Sequence, residues 1–176
     1  MIRGELCVGR IRQGGLSLPR KGWVMRILGL DYGSKTVGVA ITDPTGLIAQ
    51  PLVTLKRERE SMLRKTLKEI AELAERYQAE RIILGLPFNM DDTEGERAEK
   101  TRAFRRLLSA RVNVPVELMD ERLTTMEARE ILDESGVPRA EQKRVIDQVA
   151  AQLILEAYLH ERAMEEAKQP ISGKEE

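Results

Sequence analysis

The feature of this sequence that most restricts its fold is the order of its predicted elements. Three strand-like runs follow one another, and the chain then alternates between amphipathic helices and further strands. The runs are MRILGLDYG, TVGVAITD and LIAQPLVTL, separated by the turns Gly-Ser-Lys and Asp-Pro-Thr-Gly. Strands joined by a short turn pair antiparallel, whereas strands joined through a helix pair parallel. The order therefore predicts an α/β fold with one mixed sheet and helices on its faces.

The second half of the chain supplies the helices and the last two strands. Apolar residues at three- and four-residue spacing predict a helix over 63–77, and RIILGLP is a continuous apolar run typical of a strand buried on both faces. Thr93 and Glu96 have capping-box spacing, which predicts a helix from Thr93 to about Ala110. PVELMDE is the fifth strand. A short helix is predicted over 124–132, and a last helix is predicted through 145–164.

Composition limits the chemistry that the chain can carry. Cys7 and His160 are the single cysteine and histidine, so neither a disulfide nor a usual tetrahedral zinc site can form within the chain. Oxygen ligands remain, and these suit Mg²⁺ or Mn²⁺. No apolar run approaches the ~18 residues of a membrane helix, and the scarcity of cysteine suits a reducing compartment. We therefore expect a cytoplasmic protein with no membrane contact.

The charge distribution separates an N-terminal segment from the rest of the chain. Residues 1–24 hold five basic residues and one acidic residue, although the whole chain balances 29 basic against 29 acidic residues. Residues 25–166 are expected to form the folded domain, preceded by a disordered basic extension over 1–24 and followed by a polar tail over 167–176. The sequence leaves open whether the biological start is Met1 or Met25.

Carboxylates stand at the predicted ends of two strands and on the last helix. Asp31 ends the first strand, Asp120 and Glu121 end the fifth, and Asp147 is followed by the small residues Ala150 and Ala151. Successive strand residues point to opposite faces, so only one of Asp120 and Glu121 can share a site with Asp31. A close group of carboxylates is stable when a cation neutralises it, which indicates a divalent-metal site.

Four separated blocks of this sequence resemble the signature blocks of the YqgF family, also called RuvX. The blocks are ILGLDYGSKTVGVAITD, ILGLPFNMDDTEG, DERLTTMEAR and VIDQVAAQLIL, and they occur in the family's order. The resemblance implies an RNase H-like domain with a five-stranded mixed sheet in the order 3-2-1-4-5. It also implies that Asp31, the pair Asp120 and Glu121, and Asp147 are the active-site acids. Glu121 is favoured within the pair because the related resolvases use a mixed Asp/Glu set.

The same resemblance implies an enzyme that hydrolyses phosphodiester bonds. We expect a nuclease that uses Mg²⁺ or Mn²⁺, held by Asp31, Glu121 and Asp147, and that acts in 5′ processing of pre-16S rRNA during ribosome biogenesis. Two alternatives stay open: a Holliday junction resolvase-like DNA endonuclease, and a non-catalytic module that binds RNA or a transcription complex. The expected partner is precursor rRNA or branched DNA, and the protein is expected to be a monomer or a homodimer.

Several cations are candidates for substrate binding, and each has a plain alternative. Lys35 can meet a phosphate or be an exposed turn residue. Arg122 can clamp a phosphate or pair with a neighbouring acid. A third group, Arg102, Arg105 and Arg106, belongs to a run of six cations on or beside the second helix, which is either a nucleic-acid track or a solvated face.

Overall fold

The computed structural model describes residues 26–87, 95–121, 131–136 and 138–168. Its strands are β1 (Arg26–Tyr32), β2 (Thr36–Thr42), β3 (Ala49–Lys56), β4 (Ala79–Pro87) and β5 (Val116–Glu121). Its helices are α1 (Leu63–Arg76), α2 (Glu96–Ser109) and the long α3 (Arg139–Lys168), and residues 131–134 are also helical. The predicted extension over 1–24, nearly all of the tail and residues 122–130 lie outside the described residues.

The five strands form one mixed sheet in the order β3-β2-β1-β4-β5, which confirms the predicted order. β1 pairs antiparallel with β2, and β2 pairs antiparallel with β3. β4 pairs parallel with β1 on one side and with β5 on the other. The carboxyl ends of β1, β4 and β5 therefore meet at one edge of the sheet, which we call the carboxyl edge.

Each face of the sheet is covered by its own hydrophobic layer. Apolar residues of α1 and α2, among them Leu67 and Phe104, pack against one face that includes Leu28 and Leu30. On the opposite face, α3 packs against Ile27, Ala40, Ile83 and Met119. Alternation along β1 accounts for this division, because Leu28 and Leu30 belong to one face and Ile27 belongs to the other.

The predicted start of the second helix is wrong, and the last helix begins before its first apolar residues. α2 begins at Glu96 with Gly95 as its N-cap and has no side-chain cap, and Thr93 lies outside the described residues. α3 begins at Arg139, although the apolar periodicity starts at Val145. Its first turns carry the polar sequence RAEQKR, which has no apolar face that periodicity could detect.

A polar network fixes α3 along the sheet. Arg81 of β4 donates from Nη1 to Glu117 Oε1 of β5 at 2.9 Å and to the Tyr158 hydroxyl of α3 at 2.7 Å. Burial raises the pKa of the Tyr158 hydroxyl, so this group stays a neutral hydrogen-bonding partner at neutral pH. The network joins three elements and limits sliding of the helix over the strands.

Candidate active site

Asp31 is placed on the α3 face of the sheet. Ile27 belongs to the α3 cluster, and a Cβ added at Gly29 would lie 2.7 Å from the Ala151 carbonyl oxygen of α3. Residues two apart on a strand share a face, so Asp31 lies on the same face of the sheet as Ile27 and Gly29, the face covered by α3. The Asp31 side chain is half-buried at the carboxyl edge.

The backbone of α3 touches the sheet beside Asp31. Gly38 is the cross-strand partner of Asp31 in the antiparallel β1–β2 pair. A Cβ built on Gly38 would overlap the backbone carbonyl of Asp147 and would lie 3.0 Å from Asp147 Cβ. Because cross-strand partners on one face have Cβ atoms about 5 Å apart, this contact brings Asp31 and Asp147 together. The absence of a side chain at Gly38 gives room to the helix that carries Asp147.

The register of β5 separates the two acids at its end. Glu117 contacts Arg81 in the network with α3, and Met119 packs in the α3 cluster, whereas Val116 and Leu118 pack with the α1 and α2 layer. Alternation then assigns position 120 to the α1 and α2 face and position 121 to the α3 face. Asp120 is exposed. The side chain of Glu121 lies outside the described part of the structure, although its backbone pairs with Pro87.

The described side chains alone do not make a complete metal site. Among them, no group of three or more His, Cys, Asp and Glu side chains is close enough together to hold an ion. Asp31 and Asp147 provide two carboxylates on one face, and position 121 is the register position from which a third can come. Carboxylate oxygens are the ligand type that Mg²⁺ and Mn²⁺ prefer.

The structure does not bring the cations of α2 to the acids. α2 packs on the face opposite α3, so Arg102, Arg105 and Arg106 lie across the sheet from Asp31 and Asp147. These three share one flank of α2, and Arg105 Nε donates to the Val116 carbonyl oxygen at 2.8 Å. Val116 is the first residue of β5, so Arg105 is anchored at the end of the strand that lies away from the carboxyl edge.

Lys100 belongs to a different flank of α2 and uses its charge within the protein. Its Nζ lies 2.9 Å from Glu96 Oε1 and 3.2 Å from Glu60 Oε2. These two carboxylates, with Glu96 contributing most, raise the pKa of the Lys100 ammonium. The run of cations is therefore divided between an ion-paired flank toward α1 and an arginine flank toward β5.

Of the remaining substrate-binding candidates, Lys35 lies at the carboxyl edge and Arg122 lies outside the described residues. Lys35 is exposed in the β1–β2 turn, four residues after Asp31.

Two residues with clear structural roles were not among the predicted site residues. Gly29 admits the backbone of α3, and Arg57 is buried directly after β3, where its guanidinium bonds to the β1–β2 turn. Neither residue has a local sequence pattern that marks its partner.

In the described ranges we find no helix that combines the length and the apolar character needed to cross a bilayer.

The fold and the candidate site place this chain in the RNase H-like class, and a solved structure agrees. The chain is similar to Thermus thermophilus RuvC, solved in complex with a Holliday junction substrate, with a TM-score of 0.50 and 16% identity. That likeness covers 79% of this chain and 96% of the RuvC chain. At this identity it is a likeness of fold.

The family follows from sequence. A family model described as "RuvX: Holliday junction resolvase" matches residues 25–161, and this chain belongs to that family. Two relatives carry the name "Putative pre-16S rRNA nuclease". The one from Lachnospira eligens is 49% identical over 138 residues, which is 78% of this chain and 99% of the relative. The one from Lactobacillus gasseri is 50% identical over 137 residues, which is 77% of this chain and 95% of the relative.

Proposed function

We propose that this chain is a nuclease that hydrolyses phosphodiester bonds with Mg²⁺ or Mn²⁺ and that its substrate is precursor 16S rRNA. The observation that carries the proposal is the contact of α3 with Gly38, because it sets Asp147 beside Asp31 at the carboxyl edge. The family match and the names of the relatives support the reaction class and the RNA substrate.

The proposed metal ligands are Asp31, Glu121 and Asp147. A divalent cation held by these oxygens would activate a water for attack on phosphorus and would stabilise the leaving oxygen of the phosphodiester. Asp31 is fixed on a central strand, and Asp147 is fixed by a helix packed directly on that strand's neighbour. Rigid elements therefore set the separation of these two carboxylates, which limits the cost of ordering them when substrate binds.

Metal binding tests this assignment before any substrate is chosen. Titration with Mn²⁺, followed by calorimetry or by electron paramagnetic resonance, should show a site in the wild-type protein that is lost in Asp31→Asn and in Asp147→Asn. Glu75→Gln is the matched control, because Glu75 is an exposed carboxylate near the far end of α1. Equal Mn²⁺ affinity in the wild type and both aspartate variants would contradict the assignment.

Glu121→Gln and Asp120→Asn should differ in kind. Position 121 belongs to the face of Asp31, so its amide variant should cleave at least ~100-fold more slowly, equal to about 2.7 kcal/mol of transition-state stabilisation. Asp120 belongs to the other face, and its amide variant should change stability more than cleavage. Single-turnover rates and urea unfolding of both variants provide the comparison. A large rate loss in Asp120→Asn alone would reverse the assignment.

We propose that the arginine flank of α2 contacts nucleic acid that passes around the β5 side of the sheet. Replacing Arg102, Arg105 and Arg106 with Gln should then weaken RNA binding and reduce the slope of log affinity against log salt. The expected reduction is roughly 0.7 to 0.9 for each lost phosphate contact. Binding isotherms at several salt concentrations measure this slope. An unchanged affinity and slope would show that the flank is only a solvated face.

A further inference from the structure

Arg57 is a buried cation whose hydrogen bonds go to the turn between β1 and β2. The residue is 8% exposed. Its Nη1 donates to the Thr36 carbonyl oxygen at 3.4 Å, and its Nη2 donates to the Gly33 carbonyl oxygen. Its backbone N–H donates to the Lys35 carbonyl oxygen at 2.9 Å. Arg57, which directly follows β3, therefore donates hydrogen bonds to three carbonyl groups of the turn that follows Asp31 and Tyr32.

The guanidinium of Arg57 is held between this turn and an aromatic pair. Its Cζ lies 4.8 Å from the centre of the Tyr32 ring, and that ring stacks on Phe104 with centroids 4.3 Å apart. Burying a guanidinium costs free energy, and Arg57 Nε has no hydrogen-bond partner in the described structure. The hydrogen bonds to the turn and the stacking on Tyr32 offset that cost, and together they hold the guanidinium in one position.

The turn also carries hydrogen-bond donors that Arg57 does not engage. The Gly33 N–H closes the turn by donating to the Thr36 carbonyl oxygen at 3.0 Å. Ser34 and Lys35 are exposed. Within the ranges that the structure describes, the backbone amides of these two residues make no hydrogen bond to the protein. Two amides, a hydroxyl and an ammonium group are thus available beside Asp31, while the turn carbonyls are drawn toward Arg57.

We propose that Arg57 is a positioning residue that holds the β1–β2 turn as a phosphate-binding subsite for the substrate backbone. This inference rests on the proposed nuclease function and adds to it the group that fixes the substrate next to Asp31. Backbone amides without a protein partner, in an exposed turn that also carries an ammonium group, are a favourable environment for a phosphodiester oxygen. Arg57 acts through the turn, since its guanidinium bonds to turn carbonyls.

The kinetic test uses Arg57→Met, Lys35→Met and the double variant. A subsite that binds phosphate equally in the ground and transition states contributes to KM, so each single change should raise KM at least about tenfold while kcat changes less. If Arg57 acts through the turn, its replacement should raise KM by a smaller factor in the Lys35→Met background than in the wild type. Arg76→Met, an exposed change at the end of α1, should leave both constants unchanged. Full additivity of the two changes would overturn the proposal.

A second test needs no catalytic activity, so it separates failure of this inference from failure of the proposed function. Inorganic phosphate should shift the amide resonances of Ser34 and Lys35 in the wild-type protein, and this shift should be lost in Arg57→Met. The amide order parameters at residues 33–35 should fall from about 0.85 toward 0.6 in that variant. An unchanged order parameter, or no phosphate shift in the wild type, would overturn the inference even if RNA is cleaved. Should Arg57→Met fail to fold, Arg57→Lys keeps the charge without the two-pronged geometry and allows the same comparison.

Discussion

Asp31→Asn is expected to abolish metal-dependent cleavage while the protein stays folded. The substitution keeps the size of the side chain and removes the charge that holds the cation. We expect a fall in the cleavage rate of at least about 1,000-fold, equal to about 4 kcal/mol. Single-turnover assays in saturating Mn²⁺ measure this rate, with Glu75→Gln as the control for a carboxylate-to-amide change elsewhere.

The stability of the same variant provides an internal check. Asp31 and Asp147 belong to neighbouring elements on one face of the sheet, so the wild-type protein without metal holds two carboxylates on that face. Removing one charge reduces their repulsion, and the amide can still form hydrogen bonds, so the variant should stay folded in urea unfolding. A rate close to wild type in folded Asp31→Asn would place the active site elsewhere.

Gly38→Ala is expected to destabilise the fold more than Gly29→Ala or Gly33→Ala. The added Cβ would overlap the backbone carbonyl of Asp147, which cannot rotate away as a side chain can. α3 would have to move off the sheet, at a cost of about 3 kcal/mol or more. Because that movement also separates Asp147 from Asp31, cleavage should be lost in whatever fraction remains folded.

Two other glycines provide a graded control for this prediction. A Cβ at Gly29 would lie 2.7 Å from the Ala151 carbonyl oxygen, whereas a Cβ at Gly33 would lie 3.2 Å from Thr36 Oγ1. The loss of unfolding free energy in urea should therefore increase from Gly33→Ala through Gly29→Ala to Gly38→Ala. If the Gly38→Ala variant were no less stable than the Gly33→Ala variant, that result would contradict the close contact between α3 and β2.

Local sequence patterns predicted the strands and their pairing because those features depend on neighbouring residues. The short turns after Asp31 and Asp43 require antiparallel neighbours, and the apolar run ending at Pro87 requires a buried strand. The same patterns misplaced the start of α2, because Gly95 gives no side-chain capping signal, and they did not detect the first turns of α3, because those turns are polar.

The candidate site was predicted only in part, since its assembly depends on contacts between distant residues. Asp31, Asp120 and Glu121 were identifiable from their positions at strand ends, and the division of Asp120 and Glu121 between the two faces stays a prediction from strand alternation. The role of Gly38 depends on a helix more than 100 residues later in the chain, and the role of Arg57 depends on a turn in another hairpin. The sheet lies between the cations of α2 and the acids, and the linear order of the residues does not show this separation.

The central claim is that this chain is a metal-dependent nuclease acting on precursor 16S rRNA. The most direct measurement is the cleavage of end-labelled precursor 16S rRNA, with a four-way DNA junction assayed beside it, in Mg²⁺, Mn²⁺ and chelator. The proposal predicts that the RNA is shortened in the presence of either metal ion, is intact with chelator and is intact with Asp31→Asn. Cleavage of the junction alone would support nuclease activity but with branched DNA, not precursor rRNA, as the substrate. An intact RNA and an intact junction, with a folded protein that still binds RNA, would contradict the claim and favour a non-catalytic binding module.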